Sequence, residues 1–319
     1  YPNYEVIVVD NGSDDESVDR ILDYCEGTIV TQSAFLEYDS SNKPIHTFRY
    51  SKKEAEEGFD PFEEAFSGFE VKRRMKLITN DRNLGYAEGN NVALRYCLRA
   101  GKSSYVLVLN NDTIVDHGLL HELVGVLESN LVFGFAGPKT YYYCRNGRHD
   151  VINFAGGRLI MWRGKAVHLG ENQVDDGKFD DLAIVDYVEG SCLLARCELL
   201  KHIGLFDPIY FTYWEEADLC VRGARSGSKS IYVPKAMMWH KIGESSQGET
   251  NVYFMTRNRF WFVRNHTSRH QSLLFVVYFL AFSFWAECAT LLLYHKTIGG
   301  FVMFWKGIID GLRGPENFK

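Results

Sequence analysis

Two short, strongly apolar runs, each closed by a carboxylate or amide, constrain this chain more than any other feature. Residues 4–9 read YEVIVV and end at Asp10-Asn11-Gly12; residues 105–109 read YVLVL and end at Asn110-Asn111-Asp112. Unbroken runs of this length predict strands covered on both faces, as in a parallel sheet. Such sheets hold ligands outside the carboxyl ends of their strands, where these acids and amides fall. Ser13 followed by Glu16 reads as a capping box and predicts a helix from there to about residue 24. The rhythm resumes with a strand at 75–79, a loop at 80–85, a helix at 87–99, a helix near 119–128 and a strand at 132–136. Strands alternating with helices predict an α/β fold, a mostly parallel Rossmann-like sheet flanked by helices. Residues 140–200 are richer in glycine turns and short strands; helices are expected at 197–203 and from about Glu215.

Two stretches break the pattern. Residues 26–75 carry Asp39-Ser40-Ser41-Asn42, Lys52-Lys53-Glu54 and Glu56-Glu57 with few apolar runs, and read as an inserted, mostly exposed segment built on a hairpin and a short helix. Residues 273–294 carry a single charge, Glu287, and are long enough to span a bilayer. A carboxylate at mid-membrane is costly, and Arg264, Arg269, His270, Lys296 and Lys306 flank the apolar runs. An in-plane interfacial helix, a buried core helix and a true span all stay open. With 35 Lys+Arg against 41 Asp+Glu the net charge is -6, which argues against a general nucleic-acid binder. None of the seven cysteines sits in a CxxC pair, which disfavours a zinc knuckle or disulfide framework. The chain has no GxGxxG dinucleotide fingerprint.

Five constellations carry chemistry. Asp10 at a strand end can accept hydrogen bonds from a base or ribose, or can merely shape the turn. Residues 83–91 (NLGYAEGNN) surround a helix start with two glycines and several amides, so a phosphate or ribose could approach closely, as could an ordinary capped loop. Asp112, with neutral oxygens beside it, suits Mg²⁺ or Mn²⁺ or forms a plain Asx turn. Glu215, Glu216 and Asp218 put three carboxylates in four positions, and their repulsion can raise one toward a useful base. A solvated helix start is the bland alternative, opposed by the aromatic frame of Tyr210, Phe211, Tyr213 and Trp214. His240 follows an apolar stretch at 231–239 and either completes a metal site or is structural. Gly243 and Ser245-Ser246 come after it. Arg257 and Arg259, beside Asn258, are placed to pair with phosphates or with surface acids.

In this order the pieces YPNYEVIVVDNGSDD, NLGYAEGNN, VLNNDT, VEGSCLLARCELLKHIGLFDPIYFTYWEEADLCVR and WHKIG resemble inverting family 2 glycosyltransferases of GT-A fold, in the rhamnosyltransferase-like and galactofuranosyltransferase-like branch. The resemblance implies a nucleotide-sugar-binding domain over 1–265, with the 26–75 insertion and without the family's first strand, and a membrane-associating helical extension over 266–319. It implies that Asp10 holds the nucleotide base, that Asn11 binds the nucleotide-sugar, and that Asn83, Gly85 and Asn90 line the ribose pocket. Asn111 and Arg257 would bind the donor. Asp112 and His240 would bind Mg²⁺ or Mn²⁺. Glu216 would be the catalytic base, supported by Glu215 and Asp218. Two departures stand out: Glu occupies the position where the family carries the base Asp, and the DxD position reads Asn-Asn-Asp. The implied partners are a nucleotide-diphosphate sugar, a glycan or lipid-linked acceptor and the cytoplasmic face of a membrane, with no nucleic acid. A nucleotide-sugar-binding partner without catalysis, acting in a membrane glycan-assembly complex, is the rival reading.

Overall fold

The computed structural model describes residues 1–33, 35, 37–57, 62–241 and 248–314. Gly243, Ser245 and Ser246 lie outside the described residues. The chain forms two compact units, Tyr1–Val106 and Leu107–Lys319.

The first unit contains β1 (Ile7–Asp10), α1 (Ser17–Glu26), β2 (His46–Ser51), α2 (Lys52–Glu57), α3 (Glu63–Ser67), β3 (Arg74–Thr79) and α4 (Gly85–Ala100). Its sheet has the order β1-β3-β2 with both pairs parallel. The predicted strand at 4–9 is shorter than its apolar run. As an edge strand, β1 pairs only with β3, and Tyr4 and Val6 ahead of it remain exposed. The expected capping box is absent. Ser13 donates its N–H to Asp10, Asp15 accepts from Ser17 N at 2.9 Å, and α1 starts four residues later than Ser13 and closes on left-handed Gly27. Among the described residues the 26–75 stretch forms no hairpin: β2 runs parallel to β3, and Tyr50, Ala55 and Phe66 are buried. Tyr50 and Ile78 pack with Val92 and Tyr96 of α4, which fixes that helix on the sheet.

The boundary between the units falls within β4 (Tyr105–Leu109). The second unit then adds β5 (Thr113–Val115), α5 (Leu119–Ser129), β6 (Phe133–Tyr142), β7 (Ile152–Phe154), β8 (Gly157–Ile160), β9 (Lys165–His168), β10 (Ala183–Val185), β11 (Cys192–Arg196), α6 (Cys197–Ile203), α7 (Glu215–Arg225) and β12 (Lys229–His240). Its main sheet is mixed, in the order β10-β12-β6-β11-β4, with β5 added to β12 and β7 to β6. The central β6/β12 pair is parallel, while β10, β11, β5 and β7 join antiparallel. β12 shifts register between Val233 and Met237, around Pro234, which has no N–H to give the ladder. This offset lets the strand run on to His240, opposite Thr113 and Tyr142.

The chain ends in α8 (Glu249–His266), α9 (Arg269–Tyr278), α10 (Phe284–Ala289) and α11 (Ile298–Arg313), with π-helical turns at Phe279–Ser283 and Thr290–Tyr294. Phe260 and Val263 of α8 meet Phe275, Phe279, Leu291, Phe304 and Ile308 in one apolar cluster. The remaining face stays open: Leu273, Val277, Leu280, Trp285 and Leu293 are exposed, as is the stripe Ile298, Val302, Trp305, Ile309 and Leu312 on α11. A fully buried core helix is therefore ruled out for 269–294, whose most apolar window is only 11% buried. It is the one helix among the described residues long and apolar enough to cross a membrane. Glu287 does not sit alone on it; the carboxylate accepts from Arg259 of α8 at 2.7 Å and from Ser283 at 3.0 Å.

Candidate functional site

In the first unit, the strand-end residues and the NLGY loop come together. Asn11 Nδ2 donates to Asn83 Oδ1 at 3.1 Å and to the Gly85 carbonyl at 3.0 Å, while Asn11 Oδ1 accepts from Asn80 Nδ2 and Leu84 N. Asn83 Oδ1 in turn accepts from Gly85 N at 2.8 Å. These two amides build the loop on each other. Gly12 (φ 74°) lies so close to the Arg82 backbone that any Cβ would overlap it, so glycine is required there. Asp10 is buried, and among the described residues its carboxylate oxygens accept long contacts from Ser13 N, 3.4 Å each. Asn90 lies further along α4 and donates to the Tyr86 carbonyl, leaving its own carbonyl oxygen uncommitted among the contacts described.

In the second unit, β5, β12 and the β10–β11 connection converge. His240 Nε2 lies 3.1 Å from Asp112 Oδ1, and Lys241 N donates to the Asp112 carbonyl at 2.8 Å. On its other side His240 Nδ1 faces Glu189 Oε1 at 3.7 Å, an ion-pair distance without a hydrogen bond. Burial alone would lower the His240 pKa, but the two carboxylates outweigh it and lift it to about 9. Burial would likewise raise Asp112 and Glu189, yet the imidazolium between them holds both below the ordinary carboxylate range, with His168 helping at Glu189. Asn111 is exposed beside Asp112, and Asn110 N is tied to the Ser191 carbonyl.

Glu216 stands at the start of α7, within electrostatic reach of His168 and Glu189. Its pKa is raised, by burial first and by Glu189 next, against the opposing pull of His168. Glu215 is buried more deeply and is raised well above the ordinary value, again by burial first and then by the Glu216 charge. Desolvation is thus the leading cause, ahead of the mutual repulsion that the sequence suggests. Among the described residues Glu215 Oε2, Glu216 Oε2 and Glu189 Oε2 are buried with no hydrogen-bond partner, as is the Tyr187 hydroxyl. Asp218 differs: His266 Nε2 donates to it at 2.6 Å and Arg222 Nε at 2.7 Å, so its carboxylate is held low despite burial and ties α7 to α8. Arg257 is buried, donating to the Ile209 and Tyr210 carbonyls and to Asn258 Oδ1.

The donors that could hold a divalent cation at the Asp112–His240 corner are one carboxylate, the His240 ring once it gives up its proton, and Glu189. Mg²⁺ and Mn²⁺ accept such a sparse set and complete their shell with phosphate oxygens and water. Among the described residues no group of three or more His, Cys, Asp or Glu side chains already has metal-ligand spacing. Glu189 and His168 are the functional candidates that sequence reasoning missed. The signal for Glu189 was a lone acid inside the apolar run YVEGSCLLA; His168, in a turn-rich stretch, had none.

The sequence matches the family described as glycosyltransferase like family 2 over residues 27–269. The chain belongs to that family. A low-salt glycan biosynthesis hexosyltransferase of Haloferax volcanii is 27% identical over 192 residues, which cover 57% of this chain and 58% of that protein. An N-acetylglucosaminyl-diphospho-decaprenol L-rhamnosyltransferase of Mycobacterium tuberculosis is 40% identical over 62 residues, 19% of this chain and 20% of that one. The chain thus spans somewhat over half the length of the first of these relatives and a fifth of the second. Among solved structures, residues 1–349 of S. aureus TarS in complex with UDP align over 97% of this chain and 71% of that one, at 13% identity and a TM-score of 0.48. The family 2 glycosyltransferase resemblance read from the five sequence pieces is therefore shown, as is the expected α/β fold with its C-terminal apolar helix, although the sheet of the second unit is mixed where a mostly parallel one was expected.

Proposed function

We propose that this family 2 glycosyltransferase moves a hexosyl or deoxyhexosyl group from a nucleotide-diphosphate sugar to a hydroxyl of a glycan or lipid-linked acceptor, with inversion. The observation that carries the reading is Glu216. It is a carboxyl with a raised pKa and one unpartnered oxygen, next to the Glu189–His240–Asp112 chain. A raised pKa makes Glu216 a stronger base toward an alcohol. Glu216 takes the proton of the acceptor hydroxyl, and the freed oxygen bonds to the anomeric carbon on the face opposite the leaving diphosphate. The bond from that carbon to the diphosphate oxygen breaks, with oxocarbenium character in between. Glu215, whose pKa burial raises, and Asp218, fixed by His266 and Arg222, hold the start of α7. Asp112 and His240 would hold Mg²⁺ or Mn²⁺, which supplies charge neutralisation to a leaving diphosphate when bound. In the first unit, Asp10 would accept hydrogen bonds from the nucleotide base, and Asn11, Asn83, Gly85 and Asn90 would shape the loop toward the ribose; in the second, Asn111 would bind the donor.

Residues 1–265 form the transferase domain in this reading, and 266–319 a monotopic anchor on the cytoplasmic membrane face. The Arg259–Glu287 pair supports an in-plane position: it fastens the apolar helix to α8 and gives its one carboxylate a cationic partner. The names of the relatives, glycan biosynthesis in one and a diphospho-decaprenol acceptor in the other, support a lipid-linked acceptor. The test is a calorimetric screen of UDP-, dTDP- and GDP-sugars with and without Mn²⁺, followed by turnover assays. Metal-dependent binding of one nucleotide class with turnover is expected. Donor binding with no turnover overturns the transferase reading in favour of a binding partner.

A further inference from the structure

The turn that delivers Glu215 and Glu216 gathers three left-handed non-glycine residues, and its own bonds are short-range: Phe211 N donates to the Pro208 carbonyl at 3.1 Å and Thr212 N to the Tyr210 carbonyl at 2.8 Å. Phe211, Tyr213 and Trp214 all have positive φ, at 65°, 68° and 77°. Bulky side chains rarely adopt this conformation, and three in four residues persist only where the surroundings impose it. One face of α8 adds the long-range support. Asn258, 0% exposed, directs Nδ2 at three carbonyls of the turn: Tyr210 at 2.8 Å, Thr212 at 2.7 Å and Tyr213 at 2.8 Å. Arg257 adds Ile209 at 3.0 Å and Tyr210 at 2.9 Å, and its Nε fixes the Asn258 amide by donating to Oδ1 at 2.9 Å. That bond settles which end of the amide faces the turn. On the same helix Phe254 stacks on Phe211, with ring centroids 4.9 Å apart, and Phe262 packs on Trp214 at 4.8 Å. Trp214 is the cap of α7, so its left-handed conformation sets the direction in which the first two helical residues leave.

We infer that Asn258, locked by Arg257, is a positioning residue that fixes the catalytic turn and aims the Glu216 carboxyl, and that neither side chain is spent on the donor phosphates. The kinetic part of this inference rests on the transferase reading; the structural part does not. The Asn258 amide donates to the turn at three points, and relaxation of 211–214 into an ordinary right-handed path would redirect the start of α7.

The experiment compares the full chain with Asn258→Ala and with Asn258→Ala/Tyr213→Gly, because glycine removes part of the strain that the clamp opposes. Amide hydrogen exchange is read over 209–218 and over β6 as a control. Binding of UDP, dTDP and GDP with Mn²⁺ is measured by calorimetry, and kcat and KM are taken with the donor found to turn over. In Asn258→Ala, exchange at 211–216 is expected to accelerate by about tenfold or more while β6 is unchanged. Nucleotide affinity stays within about threefold and kcat falls by about 100-fold, the loss typical of a misplaced reacting group. The second substitution restores about tenfold of that kcat, a rescue that a general loss of folding would not show. Wild-type exchange at 211–216, or kcat within about threefold of wild type, overturns the inference, as does a fall in affinity that matches the fall in kcat. If Asn258→Ala does not fold, Arg257→Met gives the same readings with the Asn258 amide in place. If the wild type binds nucleotide and turns nothing over, the transferase reading falls and the exchange result alone decides the clamp.

Discussion

Stability in alkaline solution offers the sharpest check on the Asp112–His240–Glu189 chain. The imidazole is poised at about 9 in the folded protein, against about 6.5 for an ordinary histidine. A group whose folded pKa is raised stabilises the fold fully below its unfolded value and loses that contribution as pH rises through the folded one. The stabilisation should therefore be nearly intact at pH 7 and gone by pH 10. The gap in pKa, at 1.36 kcal/mol per pH unit, corresponds to about 3 kcal/mol at most, of which about 2.5 kcal/mol remains at pH 7. His240 is 12% exposed and Glu189 13%, so their part is well sheltered; the Asp112 side chain is 41% exposed, and solvent screens its share. A loss of about 2 kcal/mol between pH 7 and pH 10 is the working figure. The assay is urea denaturation of the metal-free full chain at pH 7, 8, 9 and 10, beside His240→Asn. Titrations common to both proteins cancel, and the difference between the curves isolates the histidine. A difference that stays constant across this range refutes the ion chain. A difference that grows with pH refutes the sign.

Three further outcomes follow from the same geometry. Glu216→Gln keeps nearly the shape of the side chain and removes its basicity, so donor affinity should stay within about threefold while turnover falls by about 10²–10⁴-fold; turnover near wild type removes Glu216 as the base. Asp112→Ala should erase the difference in donor affinity measured with and without Mn²⁺, and an unchanged metal dependence refutes its assignment as a ligand. Leu280→Glu/Leu293→Glu places two carboxylates on the exposed apolar face, and should cut co-flotation with anionic lipid vesicles by about tenfold or more. Undiminished flotation shows that this face is not the lipid side.

The strand-end acids were legible because their signal is local. An unbroken apolar run cut off by Asp or Asn marks a strand end, and both 4–9 and 105–109 lead into strands ending where the acids begin. The helix at 197–203 was read to the residue, and the one at 87–99 to within two. Ser13 misled because a capping-box spacing competes with an Asp-centred turn, and the Asp10 carboxylate took the Ser13 N–H instead. The 26–75 segment misled because its polar composition hides β2 among charged residues, with Tyr50 and Phe66 as its few buried anchors. Glu189 and Asn258 were illegible as a site for a different reason. Each acts on a group 45–51 positions away in sequence, His240 for one and Tyr213 for the other, and neither the period of a helix nor the alternation of a strand marks such a partner. The aromatic frame at 210–214 was noticed as a reason to doubt an exposed acid cluster, but its left-handed backbone could not be read from residues that so seldom adopt it.

α8 ties these features into one structural argument. Its Asn258 and Arg257 hold the strained turn ahead of Glu215, its His266 takes Asp218 behind Glu216, and its Arg259 takes Glu287 of the apolar layer. Left-handed non-glycine residues cost about 1–3 kcal/mol each, while a neutral hydrogen bond returns about 1 kcal/mol net. A turn with three such residues therefore needs most of the donors that α8 aims at it. Burying Glu215 with an unpartnered oxygen adds a further cost that only a rigid frame tolerates. The strain and the unpartnered acids thus have the same support, and that support is packed through Phe260 and Val263 against Phe275, Phe279 and Phe304 of the C-terminal layer. Loss of that layer should loosen the Glu216 turn as well as any membrane contact. The apolar extension then belongs to the packing that supports the Glu216 turn, and a truncation that removes it tests folding of the turn before it tests localisation.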